Sequence, residues 1–185
     1  IVDIFIIILF SFSINKFYGS IGVLAQDTFA YYDTGFRILQ GSVPFKDYWT
    51  VSGPIIDYFQ AFLFYIFGIS WKSYILNGSI INVALSLLLY RVFLEYNLNR
   101  LLNLFYTLSF AVLANPSMGA PFTDHYSAFF SISAILLFFY LIKQPEKNLW
   151  FLIPVLFFIA FFSKQTPATY LLSVFLLVFI IYLFF

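Results

Sequence analysis

QDTFAYYDTGFRILQGSVPFKDYWTVSGPIIDYFQAFLFYIFG, residues 26–68, decides how the chain is read, because nearly everything around it is plain hydrophobic helix. It holds Asp27, Asp33, Asp47 and Asp57, so half of the 8 acidic residues lie in under a quarter of the chain. Phe29, Tyr32, Phe36 and Leu39 recur at spacings of three and four, which predicts an amphipathic helix over 28–40 with Gly41 as its stop. Such a helix lies along a membrane surface instead of crossing it. Ser42 to Ser52 reads as a loop, punctuated by Pro44 and Gly53-Pro54 and carrying the interfacial types Tyr48 and Trp49 beside Asp47. Pro54 to Phe67 is predicted helical, with proline in the first turn and Gly68 at the C-terminus. At about 14 residues it reaches roughly 21 Å, short for a span, and it carries Asp57 and Gln60.

Outside this stretch, composition sets the class. The chain is 63% hydrophobic and only 9% charged, with a mean hydropathy of +0.96, far from the roughly 25% charged residues of soluble domains. Uncharged runs approaching 20 residues match a hydrocarbon core of about 30 Å, so the expected fold is an all-α integral membrane protein. A net charge of +1 gives no reason to expect a nucleic-acid partner. With no cysteine, disulfide and zinc–thiolate chemistry are excluded, and the single His125 cannot form a histidine cluster.

In order, Ile1 to Ile14 is expected to be the first span, with Asn15, Lys16 and Gly19 marking its exit. It lacks the basic start and cleavage site of a signal peptide. The chain begins at Ile1 and stops inside an apolar run, so it reads as part of a longer membrane protein. Trp71–Leu94, Leu101–Asn115, Asp124–Ile142, Leu149–Phe162 and Ala168–Phe185 follow, with Thr123 or Asp124 placed to cap the fourth span. The expectation is a polytopic bundle of about six spanning helices, with amphipathic juxtamembrane helices in an external loop over 16–70. Arg91, Arg100, Lys143 and Lys147 crowd two short turns, which favours those turns as cytoplasmic. The same parity puts Asp27, Asp33, Asp47, Asp57, Asp124, His125 and Lys164 on the outer side.

The order of residues in the loop resembles the first external loop of the GT-C membrane glycosyltransferases, specifically the protein-mannosyltransferase-like group. That group includes the dolichyl-phosphate-mannose protein mannosyltransferases and their bacterial relatives. The matching positions are Asp27, Tyr31, Gly35, Gly41, Pro44, Phe45, Asp47, Pro54 and Phe67-Gly68. Asp124 matches a second acidic site opening the fourth span, and Ser163-Lys164 matches a Ser/Thr-Lys pair between later helices. Many relatives carry Asp-Glu at the first acidic site, whereas here Thr28 follows Asp27.

The resemblance implies that residues 1–185 are the N-terminal part of a GT-C transmembrane domain. It also implies inverting transfer of a sugar from a polyprenyl-phosphate donor to a glycan, lipid or protein acceptor, at the outer face of a bacterial inner or plasma membrane. One carboxylate base suffices for that displacement, and Asp27 is the candidate, although it could equally cap the helix that follows. Lys164, or Arg37, is the candidate cation for the departing phosphate. A snorkelling lysine and a simple Asp33–Arg37 helix pair are the alternatives. Asp124 and His125 are candidates for acceptor binding, Asp124 also for a divalent cation such as Mg²⁺ or Mn²⁺. Tyr31, Tyr48 and Trp49 could pack on a sugar or prenyl chain, but an interfacial aromatic belt places such residues there anyway, and that is the preferred reading. Asp57 is a carboxylate in an apolar helix, expensive unless it faces a wet cavity. Two other classes fit the composition: a transporter or flippase for lipid-linked glycans, and a noncatalytic glycosyltransferase-like scaffold.

Overall fold

The computed structural model describes residues 2–23, 28–50, 52–114 and 119–184. Among these residues there are eight α-helices and no strand. They are α1 (Val2–Ile21), α2 (Ala30–Leu39), α3 (Ile55–Phe67), α4 (Trp71–Glu95), α5 (Arg100–Ala114), α6 (Thr123–Lys143), α7 (Leu152–Phe161) and α8 (Gln165–Phe184). Four of them, α1, α4, α6 and α8, are long and apolar enough to cross a bilayer, which marks an integral membrane protein. At about 1.5 Å per residue, α3, α5 and α7 fall short of that length.

The core is held by small and polar residues turned inward, the means by which helices associate where burying apolar surface gains nothing over lipid. Along α1 and α4 the contacts run antiparallel. Asn82 donates to the Ser11 carbonyl at 3.4 Å, Asn15 to Ser79 at 3.2 Å, and the Trp71 indole to the Gly19 carbonyl at 2.7 Å. Asn82 also donates to the Ala111 carbonyl of α5 at 2.9 Å, and Asn103 of α5 to the Tyr90 carbonyl at 3.2 Å. α6 lies parallel to α4, tied by Tyr126 to Asn77 at one end and by Gln144 to Glu95 at the other. Phe138, Phe157 and Phe175 join α6, α7 and α8 in an aromatic cluster.

The first helix corrects one expectation. α1 continues past the expected end to Ile21, and Asn15 and Gly19 are buried contacts with α4. Gly19 is needed where the helices cross, since a Cβ there would stand 2.6 Å from the Ile75 side chain. The Asn15 amide donates to the Gly119 carbonyl at 2.7 Å, a bond made inside the bundle.

Because α1 and α4 are antiparallel neighbours, the segment between them leaves and returns at the same end of the bundle. α2 and α3 pack on each other at that end. The buried face of α2 is Tyr31, Thr34 and Gly35. Phe29 and Phe36 of the apolar stripe stay exposed, while Tyr32 and Leu39 are only partly covered. This side of α2 faces inward, where Thr34 reaches a polar partner on α3.

Candidate functional site

That partner is Asp57, in the first turn of α3 and fully buried. Thr34 Oγ1 donates to its Oδ1 at 2.8 Å, and the Tyr48 hydroxyl approaches Oδ2 at 3.4 Å. The Thr50 hydroxyl is a third donor near the carboxyl. The carboxyl is pushed up to about 6 by burial, against the pull of these three hydroxyl donors. The Tyr48 phenol is pushed up as well, first by burial and then by the nearby Asp57 charge. Asp57 forms the wall of a cavity of about 170 Å³ with Tyr31, Thr34, Trp49, Thr50 and Ser52.

The loop reaches Asp57 through its own turn. Asp47 accepts from the Val43 N–H at 2.8 Å, and the Phe45 N–H donates to the Tyr48 carbonyl at 2.9 Å. Phe45 sits at φ +65°, a left-handed conformation that its bulk disfavours and that the turn must hold in place. The turn swings Tyr48 back toward α3 and leaves Trp49 outside, 80% exposed.

Beyond the loop, Gly53 docks on the corner between α7 and α8. Its N–H donates to the Ser163 carbonyl at 3.0 Å, and a Cβ would fall 1.6 Å from the Phe162 carbonyl oxygen. Only glycine lets the two backbones meet. At the same corner Lys164 pairs with Asp124 at 2.5 Å, and its carbonyl accepts from Ser127 of α6 at 2.6 Å.

The candidate residues named from sequence therefore divide. Asp124 and Lys164 are brought together, and Tyr31 and Asp57 share the cavity wall. Asp124 does not cap α6, whose N-cap is Phe122 without a side-chain bond; its carboxylate is engaged by the lysine. Arg37 pairs with Asp33 at 2.7 Å on the exposed face of α2 and lies 5.9 Å from the centre of the Tyr48 ring. His125 packs between Phe122 and Phe129. Asp27 lies outside the described residues. α2 begins only at Ala30, with Phe29 as its N-cap and no side-chain cap bond. Just after Asp27, the Thr28 carbonyl is held by the Tyr74 hydroxyl of α4 at 2.5 Å.

For a divalent cation the donor set is thin. Among the described residues no three His, Asp or Glu side chains gather, and Asp124 is committed to Lys164. Mg²⁺ keeps several waters and needs only one or two carboxylates, and the one named for it, Asp124, is already paired with the lysine.

Sequence reasoning missed Thr34, Thr50 and Ser52 as cavity residues, and the buried chain in which Tyr126 donates to Asn77 and Asn77 to Gln60 at 2.8 Å. The available signal was Asp57 itself, because a carboxylate buried in an apolar helix must collect donors from somewhere. No protein-family model, curated protein or solved structure matches the chain. Chemically, the site offers a buried proton-accepting carboxyl, a ring of neutral hydroxyls and, one loop away, a cation held by a single acid.

Proposed function

We propose that the chain is part of a membrane glycosyltransferase of the GT-C type, moving a sugar from a polyprenyl-phosphate donor to an acceptor at the external membrane face, with inversion. The observation that carries the reading is the gathering, at one end of the bundle, of the acidic loop, Asp57 and the Asp124–Lys164 pair. The Gly53–Ser163 hydrogen bond joins them. In this reading α1, α4, α5, α6, α7 and α8 cross the membrane, while α2 and α3 lie along its outer surface. The exposed Phe29 and Phe36 stripe suits such a position.

Asp27 takes the proton of the acceptor hydroxyl as its oxygen attacks the anomeric carbon. The bond from that carbon to the phosphate oxygen breaks, and the electron pair leaves with the phosphate. Lys164 stabilises the departing charge, and Asp124 holds the lysine in place until the donor arrives. No step calls on a metal.

The test is a membrane assay with a radiolabelled polyprenyl-phosphate sugar and full-length protein. Asp27→Asn abolishes transfer at an unchanged level of folded protein. Lys164→Met lowers the rate by about 100-fold, the scale of one lost electrostatic donor. Full activity in Asp27→Asn removes the catalytic assignment.

A further inference from the structure

We infer that the cavity beside Asp57 is a subsite for a single neutral monosaccharide ring, and that the acceptor in the proposed reaction is a glycan whose terminal residue enters there. The second half rests on the glycosyltransferase reading; the first stands on the cavity alone.

Size is the first argument. A cavity of about 170 Å³ is large enough to admit one pyranose ring. Its chemistry is the second. A pyranose presents a rim of hydroxyls, each both donor and acceptor, and an apolar face of C–H groups. The cavity answers the rim with the hydroxyls of Thr34, Thr50 and Ser52. Asp57 is fully buried and stands behind them, accepting from Thr34 at 2.8 Å, so its carboxylate orients that hydroxyl without touching a ligand. Thr50 and Ser52, 3.5 Å apart, can donate or accept.

The third argument is the indole. Trp49 lines the cavity yet is 80% exposed, with only an edge contact to Phe45 at 5.9 Å. A large aromatic left in the open beside a buried carboxylate is the complement of an apolar sugar face. A cationic ligand is the rival, since the cavity wall has two carboxylates and no basic side chain. Asp33, however, is already neutralised by Arg37, and an ammonium group uses little of the volume or of the hydroxyl ring.

Purified full-length protein in detergent, titrated at pH 7.5 with methyl hexopyranosides, tests this. Tryptophan fluorescence reports binding, with Trp49→Phe identifying the responding indole. Expected is saturable quenching in the millimolar range, lost in Trp49→Phe and weakened about threefold or more in Asp57→Asn, which no longer fixes the Thr34 hydroxyl in place. Thr34→Val, which removes that hydroxyl and keeps the carboxylate, weakens binding by about as much or more and guards against misfolding in the first variant. Methylamine gives no saturable signal. Absence of saturation by every glycoside, equal binding by wild type and Asp57→Asn, or saturation by methylamine alone overturns the subsite.

Asp27→Asn separates this inference from the reading beneath it, because that variant keeps glycoside binding while losing transfer. Glycoside binding without Asp27-dependent transfer leaves the subsite and removes the glycosyltransferase. Asp27-dependent transfer without glycoside binding does the reverse.

Discussion

The two ends of the bundle each remove a carboxylate from water, and they do so in opposite ways. At one end Asp3 of α1 is held by both Nε and Nη2 of Arg100 at 2.7 Å, with the Tyr90 hydroxyl at 2.8 Å. At the other end Asp57 has three neutral hydroxyls and no cation. A charge with a matched guanidinium fork ties three helices together and needs nothing more. A charge surrounded only by neutral donors beside a cavity is costly in the empty protein, and such cost persists where a site uses it. The comparison separates a structural joint from a candidate site without appeal to any relative.

Gly53→Ala breaks the difference most severely, because the second end depends on backbone contact. The added methyl collides with the Phe162 carbonyl and removes the hydrogen bond to Ser163. Backbone cannot yield as a side chain can, so the destabilisation exceeds the upper end of the about 1–3 kcal/mol typical of overpacking. Thermal melting in detergent shows a large drop, and in the proposed enzyme transfer is lost with it. A melting curve like that of wild type contradicts the docked loop.

The unpaired carboxyl also makes a pH signature. In the unfolded chain an aspartate titrates near 3.8; in the fold Asp57 titrates near 6. The folded state therefore binds the extra proton between these values, and its stability falls as pH rises from about 4 through about 6. Two units correspond to about 3 kcal/mol. Asp57→Asn flattens that part of the profile and melts higher than wild type at pH 8. A wild-type profile that rises over the same window means Asp57 is paired with a cation after all.

Much of this architecture is legible in the residues themselves. Helix positions follow from apolar runs and their punctuation, as Ser70 and Gly68 around the start of α4 illustrate: Ser70 accepts from the Ser73 N–H while Ser73 answers the Ser70 N–H. The gathering of Asp124 with Lys164 follows from counting crossings, since parity alone puts both at one end. What parity cannot give is depth. Asn15 and Gly19 look like a boundary in sequence and are interior because α4 offers Ser79 and Ile75 opposite them. Likewise the periodicity of α2 identifies its apolar stripe, but the face that packs is the neighbouring one, chosen by the demand of Asp57 for Thr34. Long-range polar demand is written in pairs of residues 23 apart, and no local period reports it.

The smallest effect sharpens the comparison from the opposite end. Replacing Asp3 by Asn keeps the shape and one acceptor oxygen for Tyr90 or Arg100, but it dissolves the ion pair. Arg100 is largely open to solvent, so the stranded guanidinium is hydrated and the loss is far below that at Gly53. A modest lowering of the melting temperature is expected, together with unchanged glycoside binding and the same fall of stability between about pH 4 and about pH 6, because Asp57 is untouched. Raising the salt concentration narrows the gap to wild type by weakening the pair that the variant lacks. If Asp3→Asn instead impaired glycoside binding or transfer as strongly as Asp57→Asn, the two ends would be coupled through α4. The distinction between a structural joint and a substrate site would then fail at its simpler end, where the chemistry leaves least room for another explanation.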